Sequence, residues 1–112
     1  MSRTWSAQAY DDHVFILELT YTAPLERIDA LLPAHLAWLR QHYADGTFLA
    51  SGRKVPRDGG IILAVAADRP AVEALAATDP FVPAAVATYR ITEFVPTTTG
   101  PELAAHRETL PA

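Results

Sequence analysis

Two short stretches carry the side chains best suited to chemistry: "LLPAHLAWL", residues 31–39, with His35 inside a run of leucines, and "ATDPF", residues 77–81, with Asp79 before a proline. A free imidazole titrates near pH 6.5, so His35 could take or give a proton near neutrality. It could equally be a half-buried residue that packs on leucines and bonds a carbonyl. Asp79 has the same two readings. Its carboxylate could orient and charge a histidine, as the third member of a nucleophile–base arrangement does. It could also cap a helical fragment that begins at Pro80. A third stretch, "SGRKVPRDGG", residues 51–60, offers Ser51 as a hydroxyl donor and Arg53, Lys54 and Arg57 as cations for an anionic substrate, or else forms a solvated hairpin loop. It lacks the order of a phosphate loop and leads into a strand. His42 lies two helical turns from His35, too far to share a metal ion with it, and His13 and His106 fall in flanking segments. No H-E-x-x-H, nucleophile elbow or dinucleotide fingerprint is present, so neither a metal nor an organic cofactor is expected.

Composition narrows the class. At 112 residues the chain is expected to form one domain. Half of it is hydrophobic and a fifth charged, as in ordinary globular proteins. A net charge of −4 argues against nucleic-acid binding, and the lack of cysteine excludes disulfides and sulfur-ligated zinc. "MSRTWSAQAYDDH" has no apolar run of the signal-peptide kind, and no stretch nears the roughly 20 apolar residues that span a bilayer, so a cytoplasmic location is expected.

These side chains must be positioned by regular elements. Residues 1–13 read as an N-terminal extension. "VFILELTYT", residues 14–22, reads as a strand apolar on both faces, with Phe15, Leu17, Leu19 and Tyr21 on one side and Val14, Ile16, Glu18 and Thr20 on the other, as a central strand requires. From Pro24 to about Asp45 the period becomes helical, with Leu25, Ile28, Leu32, Leu36, Leu39 and Tyr43 on one stripe. Pro33 opposes a helical Leu32, so a helical turn over 25–31 is expected, then a main helix with Pro33 in its first turn and Gly46 at its end. His35 then lies at the flank of the buried stripe. Strands follow at 47–53 and 61–67, separated by a basic turn. A short helix begins with Asp68 and Pro70, "DPFVPAA" reads as a turn or helical fragment, and a fourth strand covers 87–94. Residues 96–112 form a tail with weak helical character.

The order β-α-β-β-α-β is that of the ferredoxin-like α+β fold, a four-stranded antiparallel sheet with both helices on one face. The two most apolar strands, the first and third, are the central ones in that topology. Its other face then leaves Ile62, Ala64 and Ala66, or their neighbours, uncovered, and a homodimer is the simplest cover.

Taken together, "PAHLAWLRQHYADGTFLASGR", "GGIILAVAA", "ATDPFVPAAVATYRITEF" and this element order resemble the YciI-like (YCII) family of small bacterial proteins over residues 14 to about 95. The resemblance implies sheets paired into a dimeric α+β barrel and a pocket in which His35 and Asp79 form the proposed active site. It implies further that Phe81 helps form the pocket wall and that Ser51, with the adjoining Gly52 and Arg53, contributes to substrate binding. The family often has an arginine just before the Pro-x-His motif; here that position is Leu32, leaving Arg53 or Arg57 as possible substitutes. One relative is a dehydrochlorinase and muconolactone isomerases share the barrel. The expected function is therefore cofactor-independent His/Asp acid–base chemistry on a small organic molecule, an elimination or isomerisation. The alternative is a noncatalytic ligand-binding dimer in which His35 is a contact and Asp79 a helix cap.

Overall fold

The computed structural model describes residues 12–110. Its elements in chain order are β1 (His13–Tyr21), α1 (Leu25–Ala44), β2 (Phe48–Arg53), β3 (Gly59–Ala66), α2 (Arg69–Ala76), β4 (Ala87–Phe94) and a 3-10 helix (Pro101–His106). The strands form a four-stranded sheet in the order β2-β3-β1-β4, with every neighbouring pair antiparallel. This is the ferredoxin-like α+β arrangement, with the apolar β1 and β3 in the centre. The expected N-terminal extension falls mostly outside the described residues; His13 itself opens β1.

Alternation along β1 decides which side chains meet the helices. Phe15 and Leu17 pack with Phe48, Ile62, Ala64, Trp38, Val72 and Ala76 in one cluster. Leu19 joins Ile28, Phe81, Val86 and Ala87 in a second. Ile62, Ala64 and Ala66 thus face the helices, and it is their neighbours that line the outer face. There Val14 and Val65 are buried, whereas Ile61 and Phe94 stay more than a third exposed. The tail returns toward β1, with the Glu108 amide donating to the Pro96 carbonyl at 3.0 Å and His13 Nδ1 lying 3.1 Å from Glu108 Oε1.

Three sequence expectations are corrected. The helix is not broken at Pro33: α1 runs unbroken over twenty residues with Pro33 inside it. A proline in a helix interior costs about 3 kcal/mol. Here Pro33 sits on the exposed side, while Ile28 on one side of it and His35 and Trp38 on the other are buried and hold one axis. Burying the apolar Ile28 and Trp38 contributes roughly 1.5–3 kcal/mol each, enough to outweigh the lost hydrogen bond. The stripe is also rotated. The buried positions are Ile28, His35 and Trp38, so His35 lies at the centre of the inward face, while Leu25, Leu36 and Tyr43 are 44%, 42% and 40% exposed. Finally, β3 begins at Gly59 rather than 61. A Cβ on Gly59 would lie 1.8 Å from the Leu19 carbonyl oxygen, so only glycine lets β3 approach β1 there.

Local chemistry accounts for the element ends. The Asp68 carboxylate caps α2 by accepting from the Ala71 amide at 2.9 Å. Gly46, at φ +83°, ends α1 in the left-handed region, where a glycine carries no Cβ penalty.

Candidate active site

His35 projects from the middle of α1 toward the turn that follows α2. That turn is built by backbone bonds from Thr78 and Asp79 to the Leu75 and Ala76 carbonyls, at 3.0 and 3.1 Å, which carry the chain one step past the helix. Pro80 then directs it away. The Asp79 carboxylate bends back so that Oδ1 accepts from the Phe81 amide at 3.0 Å, an Asx turn that fixes the side chain's direction. Trp38 ties α1 to the same turn by donating from Nε1 to Thr78 Oγ1 at 2.8 Å.

The result is a close pair. His35 Nδ1 lies 3.0 Å from Asp79 Oδ1 and 2.9 Å from Oδ2. Asp79 has no solvent exposure and His35 has 8%. Tyr89 of β4 donates its hydroxyl to Asp79 Oδ2 at 2.6 Å. Asp79 thus accepts from a backbone amide, a phenol and an imidazole, which is how a buried carboxylate is satisfied. The Phe81 ring stacks on His35 with centroids 4.3 Å apart and planes within 11°, and Trp38 lies 5.8 Å away on a tilt. His35 therefore bridges the two apolar clusters, one through Trp38 and one through Phe81. Burial, then the negative charge and hydrogen bond of Asp79, push Tyr89 well above the usual tyrosine range, so the phenol stays protonated.

With Asp79 holding Nδ1–H, the lone pair of the neutral ring is on Nε2. Nε2 has no hydrogen-bond partner among the described residues and is not sealed off. His35 lines a cavity of about 270 Å³ between α1 and the β2–β3 hairpin. Leu32, Leu36 and Leu39 form its helix wall, and Leu32 and Leu39 also pack against the two core clusters. Ser51, Gly52 and Arg53 of β2 form the opposite side, and Arg57 reaches in from the hairpin turn. Ser51 and Tyr43 join hydroxyls in a hydrogen bond. Arg57 pairs with Asp29 of α1, whose carboxyl this bond holds below the ordinary carboxylate range.

The structure thus brings together His35, Asp79, Ser51, Gly52 and Arg53 around one space or directly behind it. Phe81 departs from expectation: it is fully buried and does not line the cavity, but backs the imidazole as a stacked support. His42 is separate, bonded to Asp45 at 3.0 Å, and no group of three metal-ligating side chains occurs among the described residues. A larger hollow of about 560 Å³ lies between α2 and β4. Its charged lining residues, Arg69 and Glu73, are bonded to each other, and no histidine borders it.

Residues 14–95 match the YCII-related domain. The chain belongs to that family. No curated protein matches it. Among solved structures, the YCII-related chain is similar to SnoaB, a cofactor-independent oxygenase from Streptomyces nogalater. The two share 17% identity and a TM-score of 0.46 over 81% of this chain and 98% of the other. No helix among the described residues of the YCII-related chain is long and apolar enough to cross a membrane.

Sequence reasoning missed Tyr89 and the Trp38–Thr78 tie. Tyr89 alternates as an ordinary inward strand residue, and nothing local shows that its hydroxyl reaches a carboxylate ten positions earlier.

Proposed function

We propose that this YCII-related domain binds a small organic molecule in the cavity beside His35 and moves a proton on it. The observation that carries this reading is the setting of one imidazole: Nδ1 is held by a buried carboxylate, Nε2 has no partner among the described residues, and His35 lines a cavity. A cavity of about 270 Å³ falls just below the roughly 300–1,000 Å³ usual for ligand sites, which suits a small molecule. In this reading His35 Nε2 accepts a proton from the substrate, and the imidazolium that forms is stabilised by Asp79, which also fixes the tautomer. Returning the proton to another atom completes an isomerisation; loss of a leaving group from the carbanion completes an elimination. A positioned base contributes about 10²–10⁴-fold to such a step. Asp79, Tyr89 and Phe81 are positioning residues. Ser51 and Arg53 are the polar groups offered to the substrate.

Asp79→Asn tests the pair directly. An asparagine still caps the Phe81 amide through its oxygen but carries no charge. Nitrogen-15 shifts of the His35 ring should report Nδ1–H in the wild type and a smaller share of that tautomer in Asp79→Asn. A wild-type ring protonated at Nε2 in place of Nδ1 refutes the pair. A panel of small lactones, halogenated phenols and enol acids then tests turnover, which His35→Gln should abolish. The bond from the Phe81 amide favours a second reading, in which Asp79 is chiefly a cap and the cavity binds without reacting; ligand binding with no turnover on any panel member supports it. A second copy of the chain packed on Ile61 and Phe94 is part of the proposal. Light scattering at twice the chain mass supports it, and a monomer removes it.

A further inference from the structure

The cavity beside His35 has an unequal charge distribution. Its lining includes two guanidinium groups, Arg53 and Arg57, and no carboxylate, in a chain whose net charge is −4. The remaining wall is largely apolar, led by Leu32, Leu36 and Leu39. Cations beside low-dielectric walls attract an anion far more strongly than cations in open solvent do.

The two arginines are held differently. Arg53 makes no ion pair among the described residues. Arg57 is anchored from behind by Asp29, which does not line the cavity, and its side chain is 23% exposed. Its Nε is buried with no acceptor among the described residues, so Asp29 satisfies this fork only in part. Gly52 also lines the cavity and contributes no side chain to fill it; a Cβ there would meet nothing within 4 Å. Space for a small polar group therefore adjoins the guanidinium pair, and space for an apolar body adjoins the leucines.

We propose that the ligand is a small amphipathic carboxylate, its anionic group held by Arg53 and Arg57 and its apolar body against Leu32, Leu36 and Leu39, next to His35 Nε2. The proposal rests on reading this cavity as the substrate site and adds the chemical class. Guanidinium pairs recognise a carboxylate through parallel N–H bonds, which an isosteric amide cannot accept equally well. Asp29 competes with the ligand for Arg57, so its charge weakens binding.

The test uses the full chain, nitrogen-15 labelled, titrated with benzoate, trans-cinnamate and hexanoate and with the amide of each. At least one carboxylate should shift the His35 and Gly52 resonances and bind at least about tenfold more tightly than its amide. Arg53→Gln with Arg57→Gln should erase that preference. Asp29→Asn should tighten carboxylate binding about two- to fivefold, which a purely structural Arg57 would not do. Equal affinity for acid and amide, a preference that survives loss of both arginines, or no binding by any carboxylate overturns the proposal. Amides that bind as well as acids while shifting His35 remove only the anion and leave the acid–base reading standing. A wild-type His35 ring protonated at Nε2 in place of Nδ1 removes the acid–base reading whatever the carboxylates do.

Discussion

Removing one oxygen from Tyr89 should weaken the protein and change how its stability responds to alkali. The hydroxyl donates to Asp79 Oδ2 at 2.6 Å, inside the core. A hydrogen bond to a charged acceptor is worth about 1.5–3 kcal/mol, and Asp79 keeps His35 and the Phe81 amide when this one is lost. Tyr89→Phe should therefore cost about 2 kcal/mol at pH 8. The alkaline effect follows from the raised pKa. In the unfolded chain this tyrosine ionises near its ordinary value of 10.0, whereas the folded protein retains the proton well beyond it. The stabilisation is fully present below pH 10 and declines above it, because there the native state binds one proton more than the unfolded state. The slope approaches 1.36 kcal/mol per pH unit, giving a loss of about 1.4 kcal/mol by pH 11. Phenylalanine cannot titrate, so the gap between wild type and variant should shrink from about 2 to about 0.6 kcal/mol between pH 8 and pH 11. Urea unfolding at half-unit pH steps measures both curves, and taking their difference cancels the other tyrosines and the lysine. Parallel curves across that range would show that the buried hydroxyl is not bound to a carboxylate, and the architecture behind His35 would be wrong.

Two further substitutions test the frame that holds the site. Gly59→Ala places a methyl 1.8 Å from the Leu19 oxygen and should cost at least about 2 kcal/mol in urea unfolding, whereas Gly52→Ala, with open space around its Cβ, should change stability by less than about 0.5 kcal/mol; similar costs at both positions would contradict the strand approach described. Pro33→Ala restores an amide that the Asp29 carbonyl can accept inside α1, and should stabilise the protein by about 1–2 kcal/mol once the greater freedom of the unfolded chain is deducted; a loss of stability would mean that α1 depends on a break at Pro33.

Much of the frame was legible in the residues. Alternation in "VFILELTY" and "ATYRITEF", the Asp68–Pro70 start of α2 and the glycine after α1 are local signals, set by backbone sterics and the periods of strand and helix. Those periods also placed β1 and β3 in the centre, since only they are apolar enough for that position. The error over α1 has a physical cause. Its leucines occur on more than one side, and counting apolar residues alone pointed the helix at Leu25, Leu36 and Tyr43. The actual inward face includes His35, a polar group that can be buried only because Asp79 meets it there. Pro33 was misplaced for the same reason: its local penalty was readable, and the burial of Ile28 and Trp38 that outweighs it was not.

The order and kind of the elements could be read from the residues alone, which also marked His35 and Asp79 as candidates for a pair. Neither residue's neighbourhood could say whether they met. Forty-four positions separate them, and the contact depends on how α1 is rotated, on a turn after α2 and on Tyr89 arriving from β4. The packing of the elements is what lets the leucines beside His35 line a space as well as meet the core, sets Phe81 behind the ring and brings two arginines to the same cavity. Local propensity acts over a few residues through sterics and hydrogen bonds, whereas the site exists where surfaces of several elements meet, and their packing selects one rotation of the helix among those its sequence allows.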